Sequence, residues 1–223
     1  MCGRFAQVIK DQELKKMTDE LKLKESQEQL ELNYNVAPAN TVAAVVANRD
    51  IRYLGFFRWG LIPSWSKNIP EQPLINVRSE TILEKPSFKA SFLRRRCLIP
   101  ANGFYEWRNT DKQPFFIKAK SDNLLYLAGI YDTWYGPDGS VIPSLGIITT
   151  FANDFMQSLH PRMPFLLNSS FYDLWLNPEA QNPQELQKLL QVPAELELEM
   201  FPVSKRVNKP KNNYPEILKP IVL

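Results

Sequence analysis

The sequence is poor in cysteine and histidine, with two cysteines and one histidine among 223 residues. Two cysteines cannot build the disulfide framework that staples a small secreted domain, so we expect a reducing compartment. One histidine without clustered cysteines argues against a zinc site. We therefore expect neither a metal nor a cofactor.

Long apolar runs are also missing. No stretch approaches the length needed to cross a bilayer, and the N-terminus lacks the apolar segment and small-residue cleavage pattern of a signal peptide. We expect a soluble, intracellular protein with no membrane partner. A hydrophobic content of 44%, with 12% aromatic residues, is ample for a packed core and excludes global disorder.

An excess of charge of one sign is missing too, because 27 basic and 24 acidic residues leave a net charge of +3. This balance alone does not indicate nucleic-acid binding. Basic residues are concentrated locally in Arg94-Arg95-Arg96 and in a tail that carries Lys205, Arg206, Lys209 and Lys211. Taken singly, each cluster is typical of a solvated surface.

The pattern of apolar residues predicts the elements. Residues 11–32 space apolar side chains among charges, without proline or glycine, and predict one or two surface helices. Short β-branched or aromatic runs predict strands at 41–47, 51–59, 96–100, 104–107, 115–118, 124–131, 145–151 and 198–203. Helices are predicted at 153–159, 170–176 and 183–190. Many strands with interposed helices indicate an α+β fold of antiparallel or mixed sheets.

Cys2 directly follows Met1. Removal of Met1 would give one residue both a free amine and a thiol, which together condense with an aldehyde to an imine and then a five-membered thiazolidine. Their reference pKa values, about 7.7–8.0 and about 8.5, leave both groups partly nucleophilic near neutral pH. Because free cysteine often packs as a small hydrophobe, a buried structural Cys2 is the alternative.

Two side chains are candidates for proton transfer. His160 lies beside Arg162 in a polar loop stiffened by proline, where proton transfer and a structural role are both open. Glu106 stands between Tyr105 and Trp107, and burial among aromatic side chains would raise its pKa and suit it to proton transfer. Simple strand alternation would instead turn Glu106 toward water.

Residues 74–81 resemble an extended stretch in which alternation places Asn76, Arg78 and Glu80 on one side. Asn76 offers a donor and an acceptor, and Arg78 offers a forked cation suited to phosphate. A polar edge strand is the alternative.

The neighbouring residues 58–65 carry Trp59, Pro63 and Trp65, which we expect to be exposed. Tryptophans interleaved with arginines favour single-stranded nucleic acid, since bases stack on aromatic rings.

Seven segments follow one another in the chain: Cys2-Gly3-Arg4-Phe5, Asn33-Tyr34-Asn35-Val36-Ala37-Pro38, Trp59-Gly60-Leu61-Ile62-Pro63, Asn76-Val77-Arg78-Ser79-Glu80-Thr81, Gly103-Phe104-Tyr105-Glu106-Trp107, His160-Pro161-Arg162-Met163-Pro164 and Pro202-Val203-Ser204. Together they closely resemble the SRAP family, the SOS-response-associated peptidase or abasic-site-processing proteins. The resemblance implies a single SRAP domain over residues 1–223 with a barrel-like β core and peripheral helices.

The resemblance also implies a function. Such a protein recognises abasic sites in single-stranded DNA and crosslinks to them through Cys2 after removal of Met1, which shields the lesion. In this picture Glu106 moves protons, His160 assists sugar opening and reversal of the link, and Asn76 holds the amine or the sugar oxygen. The implied DNA contacts are Arg4, Pro38, Trp65, Arg78, Trp107, Arg162, Lys205, Arg206 and Lys209.

The family's name implies a peptidase activity as well, most simply self-removal of Met1 with Cys2, Glu106 and His160. An ordinary methionine aminopeptidase also accepts a small residue at position 2, so removal of Met1 by such an enzyme is the alternative. We expect a monomer that is cytoplasmic and associated with the nucleoid when it acts on DNA, or nuclear in a eukaryote. Two other functions stay open: an N-terminal-nucleophile amidohydrolase such as a glutaminase, and a non-catalytic module that binds single strands.

Overall fold

The computed structural model describes residues 2–24, 30–194 and 196–223. The strands are β1 (Arg4–Gln7), β2 (Asn33–Val36), β3 (Thr41–Asn48), β4 (Ile51–Trp59), β5 (Asn76–Arg78), β6 (Arg96–Ala101), β7 (Gly103–Trp107), β8 (Pro114–Ala119), β9 (Leu125–Tyr135), β10 (Val141–Phe151), β11 (Arg162–Pro164) and β12 (Leu198–Pro202). The α-helices are α1 (Asp11–Leu21), α2 (Pro86–Arg94), α3 (Asp154–Gln157), α4 (Tyr172–Leu176) and α5 (Pro183–Leu189). Short 3-10 helices occupy Ser79–Thr81, Ser169–Phe171, Lys205–Asn208 and Pro215–Leu218.

A closed mixed barrel forms the centre of the molecule. Its strands follow the order β10-β4-β3-β6-β9, and pairing of β9 with β10 closes the ring. The β10–β4 pair is parallel and the other barrel pairs are antiparallel. These pairings confirm the expected α+β fold with a mixed, barrel-like core and peripheral helices.

Strand alternation separates the two faces of the barrel wall. In β3, Val42, Ala44 and Val46 belong to a hydrophobic cluster that also contains Cys2, while Ala43 and Val45 belong to a second cluster. Buried side chains of α1, α2, α4 and α5 complete that second cluster. These four helices therefore cover the face of the barrel opposite to Cys2, whereas Met156 of α3 belongs to the cluster that contains Cys2. Among the described residues, no helix combines the length and apolarity needed to cross a bilayer.

A second sheet, entirely antiparallel, has the order β12-β8-β7-β1-β2. The side chain of Gln7 joins it to the barrel, because Gln7 donates to the carbonyls of Ala43 and Pro100 and accepts from the Ala43 N–H, all within 2.9 Å. Phe5 packs edge-on against Trp59 of the barrel. The first strand of the chain therefore lies inside a sheet and against the barrel.

All eight predicted strands are present, and the three helices predicted after residue 151 are found in shortened form. Asn153 caps the first of these three helices, since its side chain accepts from the Met156 N–H. The helix predicted over 11–32 ends at Leu21, where Lys22 adopts a left-handed conformation with φ 53°. Residues 25–29 of that prediction lie outside the described residues.

Among the described strands and α-helices, four were not predicted, namely β1, β2, α2 and β11. The strands have four, four and three residues, too few for alternation to register. The sequence pattern for the helix α2 was present but short. Pro86 opens the helix, and Phe88 and Phe92, one turn apart, are buried.

Arg96 corrects the interpretation of the basic run Arg94-Arg95-Arg96 as a solvated surface. Arg94 is exposed, whereas Arg96 is 3% exposed. The Arg96 guanidinium donates to the backbone carbonyls of Phe92, Leu93, Trp175, Asn177 and Ala180. A cation that caps the C-terminal turns of α2 and α4 is favourable, because carbonyls there lack helical partners.

Candidate active site

Cys2 lies just before β1 and is fully buried. Its backbone carbonyl accepts a hydrogen bond of 2.9 Å from Asn76 Nδ2, and its Sγ lies 3.9 Å from the carbonyl oxygen of Arg4. Met1 lies outside the described residues. Cys2 is therefore buried, as expected of a structural cysteine. It is also held by Asn76, a side chain that is predicted to act in the reaction.

Glu106 reaches the same place from β7. The β1–β7 register pairs Arg4 with Tyr105 and Phe5 with Phe104, so its continuation sets Gly3 opposite Glu106. Glu106 is 3% exposed, and the alternative that strand alternation turns it to water is wrong. The strand lies between layers and has no solvated face at this position.

The Cys2 thiol and the Glu106 carboxylate interact electrostatically. Burial raises the pKa of the Cys2 thiol far above its ordinary value, and the negative charge of Glu106 raises it further. At neutral pH the sulfur is therefore held as S–H. A thiol beside a carboxylate can pass its proton to that carboxylate when the sulfur attacks.

Asn76 is fixed by β5, which pairs in parallel with β10 so that Asn76 lies opposite Ile147. Its Nδ2 donates a hydrogen bond to the Cys2 carbonyl, while the buried Oδ1 accepts no hydrogen bond from any described residue. An uncompensated buried acceptor is costly, so the site is arranged for a donor that arrives from elsewhere.

The extended stretch predicted through Glu80 is wrong beyond Arg78. The strand stops at Arg78 and the chain turns into the 3-10 helix Ser79–Thr81. This turn directs Glu80 to Arg162, while Arg78 is exposed beside it. Asn76, Arg78 and Glu80 consequently do not share one regular strand face.

His160 follows α3, and its backbone N–H donates to the carbonyl of Met156 at 3.1 Å. Its ring Nδ1 accepts a hydrogen bond of 3.0 Å from the backbone N–H of Arg162. The same Nδ1 lies 3.2 Å from the carbonyl oxygen of Arg162, a contact that would need the proton on Nδ1. The shorter contact, with the Arg162 N–H, favours the tautomer with its proton on Nε2. The flanking Leu159 and Met163 belong to the hydrophobic cluster that contains Cys2.

The side chain of Arg162 is held in place by hydrogen bonds to other residues of the same chain. Its Nη1 and Nη2 donate to the two carboxylate oxygens of Glu80, each at 3.0 Å, and Nη2 also donates to the Thr149 carbonyl at 2.7 Å. Phe151, 68% exposed, packs beneath the guanidinium with 5.2 Å to the ring centroid. A phosphate contact from Arg162 stays a prediction, and it must compete with Glu80.

Arg4 and Asn35 together hold the C-terminal tail. Arg4 donates to Asn35 Oδ1 and to the carbonyls of Val207 and Asn208. Asn35 Nδ2 donates to the carbonyls of Val207, Lys209 and Asn212. A phosphate contact from Arg4 stays a prediction, because these bonds give Arg4 a structural task.

The tail is also fixed by Trp107, whose Nε1 donates to Asn208 Oδ1 at 2.8 Å. The anchored segment exposes three predicted DNA contacts, Lys205, Arg206 and Lys209. Their positive charge therefore stands on an ordered surface connected to the strands that carry Cys2 and Glu106.

Trp65 is 65% exposed in an anchored loop. The Ser64 N–H donates to Asp132 Oδ2 at 2.9 Å, and Trp134 Nε1 donates to the Ser66 carbonyl at 2.7 Å. Its expected exposure is confirmed. The expected exposure of Trp59 and Pro63 is wrong, because both residues are buried.

Pro38, another predicted contact, is partly exposed in a turn. The turn is closed by the Asn40 N–H donating to the Ala37 carbonyl at 3.0 Å, with Ala39 at φ 70°. Proline at the second position and a positive φ at the third define a type II turn.

The contacts connect the candidates in two series that start at Cys2. One runs through Asn76 and β5 to Glu80, Arg162 and His160; the other runs through Glu106 and Trp107 to the tail. Sequence reasoning missed three supports of these series, Asn35, Glu80 as a partner of Arg162, and Phe151. It also missed Asp132, which anchors the loop of Trp65. Asn35 and Glu80 lie within the seven segments that resemble the SRAP family, whereas no local sequence pattern distinguishes Asp132 or Phe151.

Two cavities of about 500 and 400 Å³ are lined by neither Cys2 nor Asn76 nor Glu106. Within the described part of the chain, no group of three or more His, Cys, Asp or Glu side chains could hold a metal ion.

Two features define the class of protein. One is a mixed barrel flanked by a second sheet, and the other is a cysteine near the N-terminus that is buried beside a glutamate. The chain belongs to the SOS response associated peptidase (SRAP) family, whose model matches residues 1–210. The resemblance seen in the sequence motifs is thereby confirmed.

Named relatives extend over most of the chain. The abasic site processing protein YoqW of Bacillus subtilis (strain 168) is 40% identical over 223 residues, covering 98% of this chain and 99% of that protein. The abasic site processing protein HMCES of Gallus gallus is 34% identical over 226 residues, covering 86% of this chain and 67% of that protein. A crystal structure of a protein from Bacteroides thetaiotaomicron superposes with a TM-score of 0.84 at 26% identity, covering 99% of this chain and 100% of that chain.

Proposed function

We propose that the protein captures abasic sites in single-stranded DNA through a covalent bond to Cys2, once Met1 has been removed. The observation that carries this proposal is the burial of Cys2 at the start of β1, with its carbonyl held by Asn76 and its thiol beside Glu106. The names of the relatives, which describe abasic site processing, support the choice of substrate.

The reaction balances without a cofactor. An abasic deoxyribose in its ring-opened form presents an aldehyde; the Cys2 amine adds to it and loses water to give an imine. The sulfur then adds to the imine carbon, and the S–H proton ends on the nitrogen of the thiazolidine. Because burial keeps the thiol protonated, Glu106 accepts this proton from sulfur and returns it to nitrogen.

His160 and Asn76 act on the sugar. With Nδ1 occupied by the Arg162 N–H, His160 offers its Nε2–H as a proton donor to the ring oxygen when the sugar opens. Asn76 Oδ1, a buried acceptor, orients the Cys2 amine or a sugar hydroxyl. Reversal of the link and self-removal of Met1 are further activities of the same three groups in this proposal, Cys2, Glu106 and His160.

The DNA strand lies along exposed groups on both sides of Cys2. Trp65 provides a stacking surface, Arg78 a phosphate contact, and the tail contributes Lys205, Arg206 and Lys209. Pro38 and Trp107 stay predicted contacts. A monomer acting at the nucleoid, or in the nucleus of a eukaryote, also stays a prediction.

The direct test is intact-mass spectrometry of the protein mixed with a single strand that contains one abasic site. We expect an adduct at the mass of the Met1-free chain plus DNA minus one water. Cys2→Ala should remove it, while Cys97→Ala, which deletes the other buried cysteine, should retain it.

Other outcomes would favour the rival functions. Turnover of glutamine without any adduct would indicate an amidohydrolase. An adduct that survives Cys2→Ala, or the absence of any adduct with intact binding, would indicate a single-strand-binding module.

Trp65→Ala should weaken binding to an intact single strand by about tenfold, because stacking of a base on an aromatic side chain contributes about 1–3 kcal/mol. Fluorescence anisotropy of a labelled oligonucleotide measures this. Tyr135→Ala is the matched control, since Tyr135 is 68% exposed and lies on β9. Equal affinity of the Trp65 variant and the wild type would remove Trp65 from the binding surface.

A further inference from the structure

Glu80 lies between the two halves of the candidate active site. It belongs to the 3-10 helix that directly follows β5, and β5 carries Asn76, the residue bonded to Cys2. Its carboxylate grips Arg162 with two hydrogen bonds of 3.0 Å. Arg162 in turn donates its backbone N–H to His160 Nδ1. One ion pair thus joins the segment that holds Cys2 to the segment that holds His160.

The ion pair between Glu80 and Arg162 is rigid. The side chain of Arg162 is 12% exposed and that of Glu80 is 31% exposed, so solvent screens the pair only in part. Bidentate geometry fixes the angle as well as the distance between the two groups. Arg162 Nη2 also donates to the carbonyl and the hydroxyl of Thr149, at 2.7 and 3.2 Å.

Thr149 supplies the common support. On β10 it lies opposite Arg78 of β5 on one side and opposite Pro164 of β11 on the other. Burial alone would raise the pKa of the Glu80 carboxyl, but hydrogen bonds from Arg162 and the charges of Arg162 and Arg78 outweigh it and lower that pKa. Glu80 is therefore ionised at neutral pH and keeps both bonds.

We propose that Glu80 is a positioning residue for the crosslinking reaction, which acts through Arg162 to fix the place and the tautomer of the His160 ring relative to Cys2 and Asn76. This inference rests on the proposed function for its kinetic consequence only. A different role for Glu80, as an anion that occupies the Arg162 fork until a DNA phosphate displaces it, predicts the opposite effect on DNA binding.

The single histidine makes the structural part directly measurable, because only His160 contributes imidazole signals to a ¹⁵N–¹H correlation spectrum. In the wild type we expect the Nε2–H tautomer. In Glu80→Gln, an amide that cannot accept both Arg162 bonds, we expect mixed tautomers or ring exchange. Glu84→Gln is the matched control, since it removes one exposed carboxylate from the same segment. Arg162→Lys, which also breaks the bidentate pair, should reproduce the Glu80→Gln spectrum.

Kinetic and binding measurements complete the test. We expect Glu80→Gln to slow adduct formation with an abasic strand about tenfold, part of the contribution of about 10²–10⁴ that a positioned acid or base makes. Affinity for an intact strand, and its dependence on salt, should change less than about twofold, as for a residue that makes no phosphate contact.

An unchanged His160 spectrum in both Glu80→Gln and Arg162→Lys would overturn the inference, whatever the DNA assays give. Tighter strand binding with an unchanged rate would assign Glu80 the role of a displaced anion instead. If the wild type forms no adduct, the proposed function fails, and the spectra still decide whether Glu80 controls His160.

Discussion

Insertion of one alanine between Met1 and Cys2 should reduce adduct formation about 100-fold or more, because the nitrogen of Cys2 becomes an amide that cannot form an imine. Affinity for an intact single strand should stay within about twofold, since the phosphate and stacking groups are unchanged. Denaturing gels and intact mass measure the first quantity, and anisotropy measures the second. The thiol alone, held protonated by burial beside Glu106, cannot supply an equivalent bond.

The appropriate control carries the same alanine after Leu223, at the exposed end of the tail. It should crosslink like the wild type. Equal adduct formation by the N-terminally extended protein would contradict the thiazolidine mechanism and leave the thiol or another nucleophile as the attacking group.

Replacement of Arg96 by methionine should cost about 3–5 kcal/mol of unfolding free energy, because it leaves buried carbonyls without their charged donor. For a chain of this size that corresponds to a fall in the melting temperature of about 6–20 °C. Five backbone carbonyls, at the ends of α2 and α4, depend on this guanidinium. Urea denaturation followed by circular dichroism measures the change.

Arg94→Met is the matched control, since it makes the same substitution two residues earlier at an exposed position. Its effect should lie within about 0.5 kcal/mol of the wild type. If both variants unfold at the same urea concentration, the buried hydrogen bonds of Arg96 contribute nothing measurable.

The comparison of these two arginines shows what local sequence can and cannot predict. Alternation is a local property, so strands as long as β3 and β4 were predicted nearly to the residue. Burial of Arg96 depends on α4, which lies about 80 residues away in the chain and supplies its acceptors. The same limit applies to the pairing of β4 with β10, which lie far apart in the chain, and the barrel-like core was implied only by the family resemblance.

The sequence predicted which residues form the candidate site more completely than it predicted how those residues are arranged. Cys2, Asn76 and Glu106 are brought together as the motifs indicate. Arg162 and Arg4 were expected to be available for phosphate, but each already makes several hydrogen bonds inside the protein. Long polar side chains next to a motif do not reveal whether their partner is a ligand or the backbone, and only the fold decides that.

The position of β1 between β2 and β7 bears on the order of events during synthesis. Cys2 leaves the ribosome first, yet its neighbours Asn76 and Glu106 and the tail held by Arg4 follow much later. Before the pocket exists, the nascent chain exposes its N-terminus to any processing enzyme. Self-removal of Met1 by Cys2, Glu106 and His160 has to wait until folding brings these three groups together.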